Sequence, residues 1–107
     1  MSTPFERLTE LDRVVHEPAR LAIMSALSAC ESADFIFLQR ITGLSKGNLS
    51  SHLGRLEEAG LVSVTKEFVG RIPRTNAALT PQGRERLAAH WRDLQALARD
   101  TRRWRPA

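Results

Sequence analysis

From Ile41 to Val62 the chain reads Ile-Thr-Gly-Leu-Ser-Lys-Gly-Asn-Leu-Ser-Ser-His-Leu-Gly-Arg-Leu-Glu-Glu-Ala-Gly-Leu-Val, which constrains a turn, a helix and a stop. Gly43 suits the tight turn of a helix-turn-helix. Ser45 is a helix-capping residue, and Gly60 stands where a helix usually ends. The unit between them is about four turns long at ~3.6 residues per turn. At about 100° per residue, Leu49, Leu53 and Leu56 fall in one narrow buried sector. Gly47, Ser51, Gly54 and Glu58 lie opposite them, flanked by Lys46, Asn48, Ser50 and Arg55. The outward face near the start of this helix is therefore small, polar and free of acids.

The glycines and prolines divide the rest of the 107 residues. Phe5, Leu8, Leu11, Val14 and Val15 have the three-and-four spacing of an amphipathic helix over Phe5 to Val15. A break follows at His16. Pro18 opens a second helix, whose broad apolar face (Leu21, Ile23, Met24, Leu27) runs to about Ala29. Phe35 to Thr42 is a shorter apolar helix, with a start between Asp34 and Phe37. Leu61 to Val69 alternates with β-branched residues, and Arg74 to Thr80 offers a second strand after Gly70-Arg-Ile-Pro-Arg. The pair predicts a hairpin with two arginines and a proline in its loop. Thr80 caps a final helix with Pro81 at its first position, running through Leu87, Trp91, Leu94, Leu97 and Ala98 to about Arg103.

Length fits one domain with one core. The net charge of +4 is unevenly distributed. Residues 1–60 hold 6 Arg/Lys and 8 Asp/Glu, net −2, whereas residues 61–107 hold 10 and 4, net +6. Two stretches carry no acid at all. Phe35 to Leu56 holds Arg40, Lys46 and Arg55, and Phe68 to Arg84 holds Arg71, Arg74 and Arg84. A phosphate backbone repels carboxylates, so acid-free basic stretches are the expected footprint of nucleic acid.

Other chemistries find little support. No apolar run approaches the ~18 residues of a membrane span. The N-terminus has an early acid and no apolar segment of the secretory kind, which predicts a cytoplasmic location. Cys30 stands alone, so neither an internal disulfide nor a thiolate metal site is expected, and a small buried core thiol is the expected role. His16, His52 and His90 are far apart in the chain and lack metal-ligand spacing; no glycine-rich phosphate loop follows a strand, and no nucleophile has an obvious base. The expectation is therefore no catalytic site, no cofactor and no metal.

Helix, helix, turn, helix, strand, strand is the order of a winged helix: a mainly α fold with a two- or three-stranded β wing and, here, a long C-terminal helix. At Leu44-Ser-Lys-Gly-Asn-Leu-Ser-Ser-His-Leu and Leu56-Glu-Glu-Ala-Gly-Leu-Val the sequence resembles the MarR/ArsR-like group of bacterial winged-helix transcriptional regulators. His16-Glu-Pro-Ala-Arg-Leu-Ala-Ile-Met, Gly70-Arg-Ile-Pro-Arg-Thr and Leu79-Thr-Pro-Gln-Gly-Arg match the helix, wing and final-helix signatures of that group. The resemblance implies a homodimer on pseudo-palindromic double-stranded DNA, with helix 45–59 in the major groove and wing 66–76 at the minor groove. It places Ser45, Lys46, Gly47, Asn48, Ser50, Ser51 and His52 on the recognition helix and Arg71 and Arg74 on the wing. Lys46 suits guanine and Asn48 adenine, while the serines suit phosphate. Arg55 suits the backbone rather than bases. His52, close to the buried sector, is as well suited to packing as to phosphate.

Residues 16–79 then form the helix-turn-helix and wing, while 1–15 and 80–107 supply terminal helices for dimerisation. Leu87, Trp91, Leu94 and Leu97, with Trp104 beyond them, exceed what one small core should absorb. Phe5, Leu8 and Leu11 of the first helix are expected to join them. Competing readings are a winged helix used as a protein-interaction module, or a regulator switched by a small ligand or by oxidation of Cys30. The metal-binding Cys-x-Cys pattern of some ArsR relatives does not occur.

Overall fold

A computed structural model describes residues 3–107, so the first two residues of the N-terminal 1–15 segment lie outside the described residues. The elements follow in the order α1 (Pro4–Thr9), α2 (Pro18–Ser28), β1 (Ala33–Asp34), α3 (Phe35–Thr42), α4 (Lys46–Glu58), β2 (Val62–Val69), β3 (Ile72–Leu79) and α5 (Pro81–Arg103). The three strands form an antiparallel sheet in the order β1-β3-β2. Among the described residues no helix is long and apolar enough to cross a membrane.

Most boundaries have a local chemical cause. The Ser45 hydroxyl accepts the Asn48 N–H at 3.2 Å and starts α4, while Gly43 ends α3 in the left-handed region at φ 72°. At α2, Glu17 is the cap: its carboxylate accepts the N–H groups of Ala19 and Arg20 at 3.1 and 2.9 Å, ahead of Pro18 at the first helical position. Thr80 accepts the Gly83 N–H at 3.0 Å and donates its hydroxyl to the Gly60 carbonyl at 2.7 Å. That second bond ties the start of α5 to the end of α4. A Cβ on Gly83 would stand 2.0 Å from the Leu61 carbonyl oxygen, so only glycine lets α5 approach β2 this closely.

The first helix is shorter than its apolar spacing predicts. It stops at Thr9 because the Asp12 carboxylate accepts the Val14 and Val15 N–H groups at 3.1 and 3.3 Å, an alternative to helical bonding. Arg86 of α5 fixes the same carboxylate through contacts of 2.8 and 3.0 Å. Leu11 and Val15 are nonetheless buried, so the periodicity reported burial and not a continuous helix.

One core joins α2, α3, α4, the sheet and the first turns of α5. Ile23, Met24 and Leu27 of α2 meet Leu38 of α3 and the Leu49, Leu53 and Leu56 stripe of α4, with Leu87 closing it from α5. Each such side chain removed from water is worth roughly 1.5–3 kcal/mol. The radius of gyration, 16.6 Å, exceeds the about 13 Å of a compact domain of this length, and the molecule measures 66 × 25 × 21 Å. The hairpin and the far half of α5 project from the core.

The hairpin also differs from the sequence expectation. Its turn is only Gly70-Arg71, because Val69 pairs with Ile72 and Phe68 with Pro73. Gly70 has φ 65° and Arg71 does not share a positive φ, the pattern of a two-residue turn with glycine first. Pro73 is tolerated inside β3 because β1 pairs only with Asn76 and Ala77, leaving an open edge beside it. Arg74 therefore lies in a strand, directly across from Glu67, and not in the loop.

Candidate nucleic-acid interface

The polar face of α4 is open. Ser45, Lys46, Gly47, Asn48, Ser50, Ser51 and Arg55 are all exposed, while the leucine stripe on the other side is buried. The first turn of α4 contains no acid, so its unpaired N–H groups and Lys46 present positive potential together. Glu57 lies about 16 Å along the helix from Lys46, at ~1.5 Å per residue.

Helical spacing splits this face in two. Lys46 and Ser50 turn toward the hairpin, where with Leu53, Gly54, Val64 and Lys66 they line a groove of about 640 Å³ that continues to Ile72, Pro73 and Arg74. Asn48 and Arg55 point to the opposite flank, with Ser51 and Gly47 between. Lys66 was missed by sequence reasoning, although its parity with Val62 and Val64 puts it on the inner face of β2. Three acids also belong to this region, and one of them, the exposed Glu57 of α4, lines the same groove. Asp34 is occupied as the cap of α3, accepting the Phe37 N–H at 2.7 Å, and Glu67 accepts the Asn76 side-chain amide at 2.9 Å.

His52 faces inward. Its Nδ1 lies 3.5 Å from the Glu17 carboxylate, near enough for electrostatic attraction but without hydrogen-bond geometry. Burial raises the Glu17 carboxyl, yet the Arg20 and Ala19 N–H groups and the charges of His52 and Arg20 outweigh it and hold the carboxyl below its usual range. Arg84, counted with the basic wing stretch in the sequence, reaches the Ser28 and Cys30 carbonyls at 3.4 and 3.1 Å and caps the end of α2. Cys30 itself is half-buried and not a fully buried core thiol.

The residues expected at a subunit junction separate by exposure. Leu11, Leu87 and Leu97 are buried within the chain itself and Leu94 is half-buried, whereas Phe5, Leu8, Trp91 and Trp104 are each at least 40% exposed. Helix α1 lies along the end of α5: Phe5 meets Trp104 edge to face at 5.0 Å, and Arg7 donates to Asp100 at 2.7 Å.

Distance in the chain misleads for two histidines. His16 and His90, separated by 74 residues, bring Nδ1 and Nε2 to 3.1 Å and share one N–H between them. His90 is buried, and its Nδ1 has no partner among the described residues. Burial and the repulsion of His16 hold His90 below the usual imidazole value against the attraction of Asp12 and Asp93. Among the described residues no cluster of three or more His, Cys, Asp or Glu side chains is arranged to hold a metal ion.

A turn-linked helix pair followed by a basic two-stranded wing is a DNA-binding winged helix, the fold of MarR-type transcriptional regulators. The chain belongs to the winged helix DNA-binding domain family, which it matches over residues 19–98. It is 31% identical over 72 residues to an uncharacterised protein of Methanocaldococcus jannaschii, covering 67% of this chain and 78% of that one. A transcriptional regulator homologue from Pyrococcus horikoshii has a similar structure, with a TM-score of 0.81, 32% identity and coverage of 89% and 93% of the two chains. A MarR-family regulator from Silicibacter pomeroyi shares the fold at a TM-score of 0.65 and 24% identity, over 80% of this chain and 57% of that one.

Proposed function

We propose that this protein is a homodimeric, sequence-specific binder of double-stranded DNA that represses transcription at a pseudo-palindromic operator. The observation that carries this reading is the exposed face of α4 from Ser45 to Ser51, polar and acid-free, beside a wing bearing Lys66, Arg71 and Arg74. Gly47 and the serines leave room for close approach to the major groove, where Lys46 and Asn48 have the donor sets for guanine and adenine. Ser45, Ser50, Ser51 and Arg55 serve the phosphates, and Arg71 at the turn serves the minor groove. His52, turned toward Glu17, positions α4 and leaves DNA contact to its neighbours.

The exposed Phe5, Leu8, Trp91 and Trp104 supply the apolar surface that pairs two copies, extended by the half-buried Leu94. Such a dimer carries +8 and sets two recognition helices about 34 Å apart, one turn of DNA. The test is binding to a duplex selected from the protein's own genome, followed by fluorescence anisotropy. Lys46→Ala is expected to cost about 1–3 kcal/mol and to relax one base position. Unchanged binding by both Lys46→Ala and Arg71→Ala would remove this site from consideration.

A further inference from the structure

The wing ends in a surface that charge alone does not explain. Phe68 and Ile72 are 73% and 70% exposed and Val69 is 50% exposed; the first two are the most exposed large apolar side chains among the described residues. Phe68 pairs with Pro73 and Val69 with Ile72. Because side chains alternate along a strand, these two pairs lie on opposite faces of the ribbon, and the tip is apolar on both sides. Phe68, Val69 and Ile72 are left at least half exposed by the described residues. Arg71 leads at the turn, and Lys46, Lys66 and Arg74 stand around the adjoining groove, whose carboxylates, Asp34 and Glu57, belong to α3's cap and α4 and not to the tip.

We propose that Phe68, Val69, Ile72 and Pro73 form an apolar blade that wedges into the DNA minor groove, so that the wing selects sites whose minor groove opens cheaply. The inference rests on the DNA-binding reading above. An apolar ribbon end framed by cations matches the minor groove, whose walls are deoxyribose C–H surfaces between two lines of phosphate. Sheets pack about 10 Å apart face to face, so a ribbon with side chains on both faces is thicker than a groove about 6 Å wide. Entry therefore requires the groove to widen. Flexible TA and CA/TG steps permit this at low cost, whereas stiff A-tracts hold the groove narrow. The wing thus contributes specificity through deformability, without hydrogen bonds to bases, and its apolar contact is insensitive to salt.

The test compares operators carrying either a TA step or an A-tract where the wing falls, with the wild type and Phe68→Ser/Ile72→Ser, across a salt series. Both replaced side chains are exposed, so the thermal melt is expected to stay unchanged. The wild type should prefer the TA operator about tenfold, and the double variant should lose that preference and about tenfold in affinity with its salt slope intact. Arg71→Ala should instead lower the salt slope by about 1. Equal or better wild-type binding to the A-tract overturns the blade, as does a double variant that retains the TA preference. A fall in the variant's sedimentation mass also overturns it, by showing that the tip mates two copies. If the wild type binds no duplex in a salt-dependent manner, both the blade and the DNA-binding reading fail; if only the preference is missing, the blade alone fails.

Discussion

The two halves of α5 have similar apolar spacing and opposite fates. The first half is locked into the domain: Thr80 holds Gly60, Gly83 lies against Leu61, Leu87 closes the core, and His90 is buried against His16. From Trp91 to the capping Trp104, Leu97 is buried, but the two tryptophans face solvent and the neighbour along the end is the short α1. The same helical period therefore serves folding at one end and leaves surface for a partner at the other. Periodicity identifies a face; only the tertiary fold decides what covers it.

Substitutions in the first half should strike stability hardest. Gly83→Ala places a Cβ where the Leu61 carbonyl already is, and should lower unfolding free energy by about 3 kcal/mol or more in chemical denaturation. A loss below about 0.5 kcal/mol would mean that α5 can shift away from β2 and that its first half is not locked.

The histidine pair sharpens the comparison through pH. His90 has a folded-state pKa below its unfolded value of roughly 6.5, so the unfolded chain takes up a proton that the folded chain resists. Stability is full above that value and falls as pH is lowered from about 7 toward 5. Asp12 titrates in a lower window: burial raises its carboxyl, but Arg86 and the Val15 and Val14 N–H groups more than offset that and hold it below the carboxylate range. His90→Gln should flatten the decline between about pH 7 and 5, as measured by urea unfolding across that range. An unchanged slope would place the titration elsewhere.

The stretch from Trp91 onward should show the smallest effect on folding. Trp91→Ala is expected to change the stability of the monomer by about 0.5 kcal/mol or less, because the ring is exposed in a single chain. Its effect should appear instead in sedimentation, as a dimer that dissociates at higher protein concentration than the wild type. A large loss of monomer stability with no change in association would erase the distinction between the halves.

Much of the fold was legible because its signals are local. Ser45 and Thr80 cap their helices where the sequence places them, the leucine stripe of α4 is buried, and α5 ends at Arg103. Long-range pairs left no such trace. Asp12 ends α1 partly through Arg86, 74 residues away, and His16 finds His90 across the same span. Within the candidate site the exposed α4 face followed from helical angle, but Arg74 moved out of the turn because Pro73 fits an open strand edge. His52 turned inward because Glu17, the cap of a distant helix, lies within its reach. Lys66 was visible as strand parity once the hairpin register was known.

In the proposed complex the α4 face and the wing bind double-stranded DNA through its phosphates. A titration of the wild type with its selected duplex over a range of salt tests it most directly. The logarithm of the binding constant should fall linearly with the logarithm of salt, by about 0.9 for each phosphate neutralised. Binding that is absent, or that persists unchanged as salt rises, would contradict it and favour a winged helix that docks on protein through apolar contact.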